Sequence, residues 1–306
     1  MTAVSARLHL AAESVGGATP RPRTRRRVGA AHLGLVPFAG YVSVFLVLPT
    51  VLAVLTGLFD KAGHVTMSNF SALGDPVVLE TFWNSTWLSA LTAAVGAVAG
   101  AAVCYALLGI PAQHPVRSVV DALAGVLAQF GGVMLAFVFI AAMGRNSVLV
   151  QWLSGWGIDI YASGNWLYDL PGLVLPYLYF QLPLMVITFA PALEAIKPQW
   201  AEANLTLGGN RWTFWSRIAL PVLAPSFTAS FLLLFANAFS AYATAAALAS
   251  QGSQIVPLQI RAALTSETVL GRENLAGALA LGMIAVMAVV MAGYALIQRR
   301  AERWRG

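Results

Sequence analysis

Side chains that could carry out chemistry are few in this chain and far apart. It contains one cysteine, Cys104, and four histidines, at positions 9, 32, 64 and 114, none of them at metal-ligand spacing. The catalytic patterns HExxH and GxSxG are missing, as are paired acids within an apolar run. No Gly-Lys dipeptide occurs, so the chain has no Walker A phosphate-binding loop. We therefore predict no catalytic residue, metal or cofactor, and an enzyme is the least favoured class.

Polar residues are instead concentrated in one segment between two long apolar runs. Residues 201–225 read AEANLTLGGNRWTFWSRIALPVLAP and contain one acid, two arginines and a Gly-Gly pair. A short helix is predicted before the glycines, because Pro198 suits a first turn and Glu202 lies near the positive end of the helix dipole. Gly208 suits the left-handed position after a helix, and a second helix follows it. The segment 194–221 is thus a predicted helix-turn-helix.

The elements around this segment are predicted to be membrane helices. Of the 306 residues, 58% are hydrophobic and 10% are charged, whereas about a quarter are charged in soluble domains. A helix needs about 20 apolar residues to cross a bilayer. The predicted fold is therefore an all-α polytopic membrane protein, with a flexible basic tail (1–30), a transmembrane domain (31–300) and a short end (301–306). Six runs qualify as spans: 33–59, 85–110, 119–143, 172–193, 222–249 and 275–297.

Basic residues predict the orientation of these spans. All but four of the 18 lysines and arginines fall on the side of the N-terminus, and such residues concentrate in the cytoplasm. Both termini and the segment 194–221 are therefore predicted to be cytoplasmic, and the net charge of +6 does not indicate nucleic-acid binding. The outer loop 144–171 is rich in Trp and Tyr. Either these aromatic residues form an interfacial belt, or part of the loop receives an extracytoplasmic partner.

Two spans contain candidates for the lining of a solute pathway. Asn237, Ser240 and Thr244 share a helix face at spacing i, i+3, i+7, and Tyr177 and Gln181 share one at i, i+4. Polar side chains in a bilayer are expected to face protein or water. Hydrogen bonding between helices is the alternative explanation. The fourth span also carries three prolines, which indicate either a bent helix along a path or a packing kink.

The polar segment resembles the EAA loop of ABC importer permeases. That loop reads Glu-Ala-Ala, three residues, Gly, nine residues, then Ile-x-Leu-Pro, and six of its seven defined positions match here. The exception is Asn204, which replaces the second Ala. The seven positions are Glu202, Ala203, Asn204, Gly208, Ile218, Leu220 and Pro221.

The resemblance implies a type I ABC importer permease (MetI-like) fold in a bacterial inner membrane. It also implies that the first helix of the loop is a coupling helix seated in a cleft of a separate ATPase subunit. Leu205 and Leu207 could then supply apolar contacts, together with Ala203. The other implied partners are a second permease subunit, which could be the same chain or a homologue, and an extracytoplasmic substrate-binding protein.

Two questions stay open on the sequence alone. A secondary transporter or channel is the alternative, disfavoured because the spans show no central ionisable residue and no obvious inverted repeat. The substrate is the second question. Leu207-Gly208-Gly209 resembles the Leu-Gly-Ala variant of permeases for polyamines, iron, sulfate and phosphonates, and two further apolar stretches resemble polyamine and aminoethylphosphonate permeases. A polyamine or a phosphonate-like small polar solute is the resulting expectation.

Overall fold

Helices make up nearly all of the described chain. The computed structural model describes residues 31–59, 64, 66, 71–111, 113–162, 164–249, 254–265 and 273–303. The predicted tail 1–30 lies outside the described residues. The α-helices in this part of the chain are α1 (Ala31–Val42), α2 (Leu48–Thr56), α3 (Pro76–Leu107), α4 (Pro115–Gln129), α5 (Gly132–Met143), α6 (Val148–Gly155), α7 (Val174–Glu194), α8 (Pro198–Thr206), α9 (Arg211–Phe214), α10 (Leu220–Ser240), α11 (Ala243–Leu248), α12 (Val256–Thr265) and α13 (Glu273–Arg303).

Six helical stretches in the described residues are long and apolar enough to cross a membrane, as predicted. A helix of about 20 residues is long enough to cross the hydrocarbon core. The stretches are Leu35–Leu52, Pro76–Leu107, Gly132–Gly155, Leu170–Glu194, Arg211–Ser240 and Leu275–Leu296.

The chain forms two compact units, Met1–Leu52 and Ala53–Gly306. In the first unit, α1 is followed by a π-helical turn (Ser43–Val47), and the aromatic side chains of Phe38 in α1 and Phe45 in that turn are exposed. The boundary falls within α2, and the helices from α3 onwards lie in the second unit. Exposed aromatic and aliphatic side chains along a helix are expected where lipid or another protein is the surrounding medium.

Helices α3 and α7 form the centre of the second unit because small residues let their backbones approach closely. A Cβ added at Gly100 would lie 2.8 Å from Met185 Cγ, and one at Gly96 would lie 3.1 Å from Gln181 Cβ. The fully buried Gln181 amide donates a hydrogen bond to Thr92 Oγ1 at 2.7 Å. Small residues at helix contacts combined with a hydrogen bond between helices are the usual means of packing within membranes.

The predicted span 119–143 is in fact two helices. Helix α4 ends at Gln129, and α5 begins at Gly132, which has φ +73°. Glycine reaches this left-handed conformation at little cost, so the chain turns here without a proline. The third membrane-length stretch therefore lies later in the chain than predicted and includes α6.

The predicted span 222–249 is also interrupted. The helix begins earlier, at Arg211, and α10 ends at Ser240, after which α11 starts at Ala243. Side chains hydrogen-bond the backbone at both breaks: Tyr177 Oη donates to the Ala241 carbonyl at 2.9 Å, and Thr244 Oγ1 donates to the Gly132 carbonyl at 3.1 Å. Such bonds satisfy carbonyl groups that a helix break would otherwise leave unpaired at membrane depth.

Helix α7, by contrast, is continuous through Pro183 and Pro191. Helix α3 is longer than predicted and begins at Pro76, where the Asp75 side chain accepts a hydrogen bond from the Val77 N–H at 2.9 Å. An N-cap of this kind, followed by Pro in the first turn, fixes where a helix begins.

Candidate coupling and pathway sites

The predicted helix-turn-helix is present at residues 198–214. Helix α8 ends at Thr206, and Gly208 follows with φ +77°, the left-handed conformation that the sequence indicated. The N–H of Gly209 donates to the Asn204 carbonyl at 2.8 Å, which closes the turn. The second helix starts at Arg211, where Asn210 Oδ1 accepts a hydrogen bond from the Thr213 N–H at 2.9 Å. A capped helix on each side defines the turn.

Five of the residues singled out in this loop are exposed on α8 and its turn. We call them the docking face; they are Glu202, Ala203, Leu205, Leu207 and Gly208. The Leu207 side chain is 88% exposed and that of Leu205 is 63% exposed. A Cβ added at Gly208 would meet no atom within 4 Å. Two exposed leucines beside an open glycine form a small apolar surface with no partner in the described chain.

The other four residues singled out lie elsewhere in the loop. Asn204 is buried, at 7% exposure, on the side of α8 away from the docking face. Ile218 lies in a π-helical turn (Trp215–Ala219) that joins α9 to α10, and Leu220 and Pro221 begin α10. These last three residues therefore belong to the helix that connects the turn to the bundle. The motif thus has an exposed docking face and a second part, residues 215–221, which we call the stem.

The base of the loop is tied to neighbouring helices. The Arg117 guanidinium, at the start of α4, forms an ion pair with Glu194, the last residue of α7, and donates to the Ile110 carbonyl at 3.4 Å. Arg117 is 15% exposed, so this pair is better shielded from solvent than most surface ion pairs. On the stem, the Trp215 ring packs edge-on against Tyr105 of α3, with 5.2 Å between ring centroids. The loop is thus anchored on both sides.

A polar cavity lies where the two helix breaks meet. Its volume is about 330 Å³, and it is bounded by the end of α4, the start of α5, and the α10–α11 break. Three of the five predicted lining residues border it: Asn237 and Ser240, which are exposed, and Thr244, which is 2% exposed. The predicted i, i+7 face is interrupted by the break at Ala241, so Thr244 reaches the cavity from α11 instead.

The other two predicted lining residues are inside the bundle. Tyr177 and Gln181 are both fully buried, and their polar atoms hydrogen-bond to Ala241 and Thr92 respectively. Gln181 Oε1 has no hydrogen-bond partner among the described residues. In this conformation both side chains serve packing between helices, which the sequence had left as the alternative explanation.

Comparison with known proteins identifies the family. Residues 123–303, more than half of the chain, match the family described as the binding-protein-dependent transport system inner membrane component. The chain belongs to this family. It is therefore a multi-pass membrane component of a transport system rather than an enzyme.

Individual relatives are distant but span most of the chain. The sulfate transport system permease protein CysT of Escherichia coli is 24% identical over 204 residues, which cover 66% of this chain and 69% of CysT. The ferric transport system permease protein FbpB of Actinobacillus pleuropneumoniae is 26% identical, over 62% of this chain but only 27% of that longer protein. A bacterial ABC transporter that imports alginate shares the fold, with a TM-score of 0.72 and 17% identity over 88% of this chain and 95% of its own.

Sequence reasoning missed several residues of this family member's two sites. Gln129, Gly131 and Gly132 border the cavity, and the Gly-Gly pair inside an apolar run was the signal that could have found them. Trp212 is 79% exposed beside the turn, as a tryptophan in a polar segment could have indicated. Arg117 was counted only for orientation, because its pairing with Glu194 joins residues 77 positions apart.

Proposed function

We propose that this chain forms half of the solute pathway of an ATP-driven ABC importer. In this proposal the loop 194–221 couples the pathway to a separate ATPase subunit. The exposed docking face is the observation that carries the proposal. Leu207, with 88% of its side chain exposed, would be unfavourable in water unless a protein partner covers it.

The connection behind the docking face supports the same role. A helical stretch runs from Arg211 to Ser240, so one end lies at the turn and the other borders the polar cavity. At about 1.5 Å per residue, this stretch is on the order of 45 Å long. A displacement of the docking face by an ATPase would therefore pass through the hydrogen-bonded turn and then reach the cavity along continuous helix, which a flexible loop would not transmit.

Association with the ATPase tests the coupling proposal. Leu207→Asp places a charge on the apolar part of the docking face, and we expect co-purification of the ATPase to fall at least tenfold. Gln199→Asp is the matched control, since it adds the same charge at an exposed position near the start of α8 and leaves both leucines in place. Undiminished co-purification with Leu207→Asp, at normal membrane abundance, would refute docking at this face.

The polar cavity is our candidate for part of the solute pathway. The Asn237 side chain makes no hydrogen bond with the described residues, and the Ser240 hydroxyl donates only to carbonyls of its own helix, those of Ala236 at 2.9 Å and Asn237 at 3.3 Å. Thr244 is already bonded to Gly132 across the break. The proposal therefore assigns solute or water contact to Asn237 and Ser240, and a structural role to Thr244.

Thiol accessibility distinguishes these roles. Cysteine at position 237 or 240 should react with a small hydrophilic thiol reagent at least tenfold faster than cysteine at position 244. The native Cys104 is 2% exposed and should contribute little background. Equal protection at all three positions, with and without ATP, would remove this cavity from the pathway.

The substrate and the remaining partners complete the proposal. The relatives are named for sulfate and ferric transport, whereas the sequence alone pointed to a polyamine or a phosphonate-like solute. We therefore infer a small polar solute and assign its selection to an extracytoplasmic binding protein. The second half of the pathway would come from another permease subunit. Purification of the complex with its binding protein identifies the second permease subunit, and mass spectrometry of the released ligand identifies the solute.

A further inference from the structure

Asn204 behaves differently from its neighbours in the coupling loop. Ala203 and Leu205 are exposed on the docking face, whereas Asn204 points to the opposite side and is 7% exposed. Its amide nitrogen donates a hydrogen bond across the turn to the Asn210 carbonyl at 3.1 Å. An alanine, the residue of the motif that this loop resembles, could pack at this position but could not make that bond.

Gly209 provides the space that the Asn204 side chain occupies. A Cβ added at Gly209 would lie 2.6 Å from Asn204 Cγ, closer than unbonded carbon atoms can approach. Gly209 does not have the positive φ of Gly208. The two glycines are therefore needed for different reasons: Gly208 for its backbone conformation, and Gly209 for the room that it leaves to one particular side chain.

Asn210 continues the connection into the second helix. Its carbonyl accepts from Asn204, while its own Oδ1 accepts from the Thr213 N–H at 2.9 Å and from Thr213 Oγ1 at 3.1 Å. The end of α8 and the start of α9 are thus joined by consecutive hydrogen bonds. Because α9 continues into α10, these bonds fix the angle at which the coupling helix meets the membrane helix.

We propose that Asn204 and Gly209 are a matched pair that sets this angle, with Asn204 as a positioning residue for coupling. Asn replaces the second Ala of the EAA loop at position 204, and Gly replaces the Ala of the Leu-Gly-Ala variant at position 209. The pairing explains both differences, because the Asn204 side chain needs the space that Gly209 leaves. The inference rests on the proposed function for its consequence in transport, but the pairing itself is a property of the turn.

Distance measurements on the turn test the pairing directly. Spin labels at Gln199→Cys and Arg211→Cys, both exposed positions, report the angle between α8 and α9 in the assembled ATPase–permease complex. Asn204→Ala should broaden the distance distribution, because loss of one hydrogen bond lowers the population of the fixed angle about fivefold. Thr206→Ala is the control: it removes a 2.8 Å bond to the Ala203 carbonyl that lies within α8 and does not cross the turn.

A double-mutant cycle separates pairing from two independent effects. Gly209→Ala should shift or broaden the distribution when Asn204 is present, and should have little further effect in the Asn204→Ala background, where the clash is gone. The same change from Gly209→Ala in both backgrounds would overturn the pairing. So would a distribution that Asn204→Ala leaves as narrow as in the native protein.

Transmission to the cavity provides a second, separate readout. The reactivity of Ser240→Cys towards a hydrophilic thiol reagent should change on ATP binding, and Asn204→Ala should reduce that change about fivefold while co-purification of the ATPase stays normal. An unreduced change would refute the coupling role of Asn204. If ATP had no effect even with Asn204 present, the proposed function would fail, and the distance cycle would still decide the pairing.

Discussion

Gly208→Val is the most informative substitution in the docking face. Gly208 has φ +77°, and an L-residue pays about 1–2 kcal/mol to adopt the left-handed conformation, with a β-branched side chain at the upper end or beyond. Because a Cβ there would meet no atom of the chain within 4 Å, no clash adds to this cost. The turn is therefore expected to lose about 5- to 30-fold in population. The side chain would also protrude from the surface proposed to contact the ATPase.

The expected result is a protein that inserts normally but neither imports solute nor stimulates ATP hydrolysis. Membrane abundance, co-purification of the ATPase and uptake should be measured on the same variant. Gly157→Val is a control matched for strain, because Gly157 has φ +79° and also has open space around its Cβ, but lies outside the coupling loop. Gly125→Ala, within α4, is a control for a tolerated glycine substitution.

Two outcomes would contradict this reasoning. Normal uptake by Gly208→Val would show that the turn is only a support at the membrane surface. Equal loss of ATPase co-purification in Gly157→Val would show that backbone strain outside the coupling loop has the same effect, and that docking at Gly208 is not involved.

Three further predictions concern topology and the packing around the sites. A reporter fused after Gly155, where the third membrane-length stretch ends, should be extracytoplasmic and one after Leu193 cytoplasmic, as the distribution of basic residues indicates; an inverted result at Leu193 would exclude coupling by the loop that follows. Arg117→Ala removes both the ion pair with Glu194 and the hydrogen bond to the Ile110 carbonyl and should cost about 1 kcal/mol in thermal unfolding of the purified protein. Glu194→Gln should cost less, because the glutamine oxygen can still accept a hydrogen bond from Arg117 and the bond to Ile110 is kept; the reverse order would refute this account of the pair. Tyr177→Phe removes the hydroxyl bonded to Ala241 and should destabilise by about 1–3 kcal/mol, measured by the same unfolding assay; no loss would show that water or another group replaces that bond.

The sequence predicted the number of membrane helices and the coupling loop because both depend on local properties. Apolar length decides a span, and the left-handed Gly208 follows from its place after a short helix. The helix breaks could not be predicted in the same way. A window of about 20 residues averages over a turn at Gly131, and what stabilises that turn is Thr244, more than 100 positions later.

The positions of the prolines do not indicate where the helices break, because packing between helices decides this as well. Pro183 lies inside α7, which stays continuous and buried against α3, whereas the breaks at Gly131 and Ala241 contain no proline. A proline removes one hydrogen bond that neighbouring helices can compensate. A true break needs new partners for several backbone groups. Such partners, here the Tyr177 and Thr244 hydroxyls, are found only once the helices are packed.

The burial of Tyr177 indicates that this residue links α7 to the end of α10 rather than lining the pathway as predicted. Helix α10 connects the two sites. The docking face lies before it in the chain, on α8 and the turn that follows α8, and the last residues of α10 border the cavity. The Tyr177 hydroxyl donates to the carbonyl of Ala241, the residue directly after this helix. Any movement that the coupling loop imparts to α10 must therefore either carry Tyr177 and α7 along or break that bond. Since Tyr177 is fully buried, breaking the bond without a substitute would cost about 1–3 kcal/mol. Joint movement of α7 and α10 as one packed body is thus the less costly route from the docking face to the cavity.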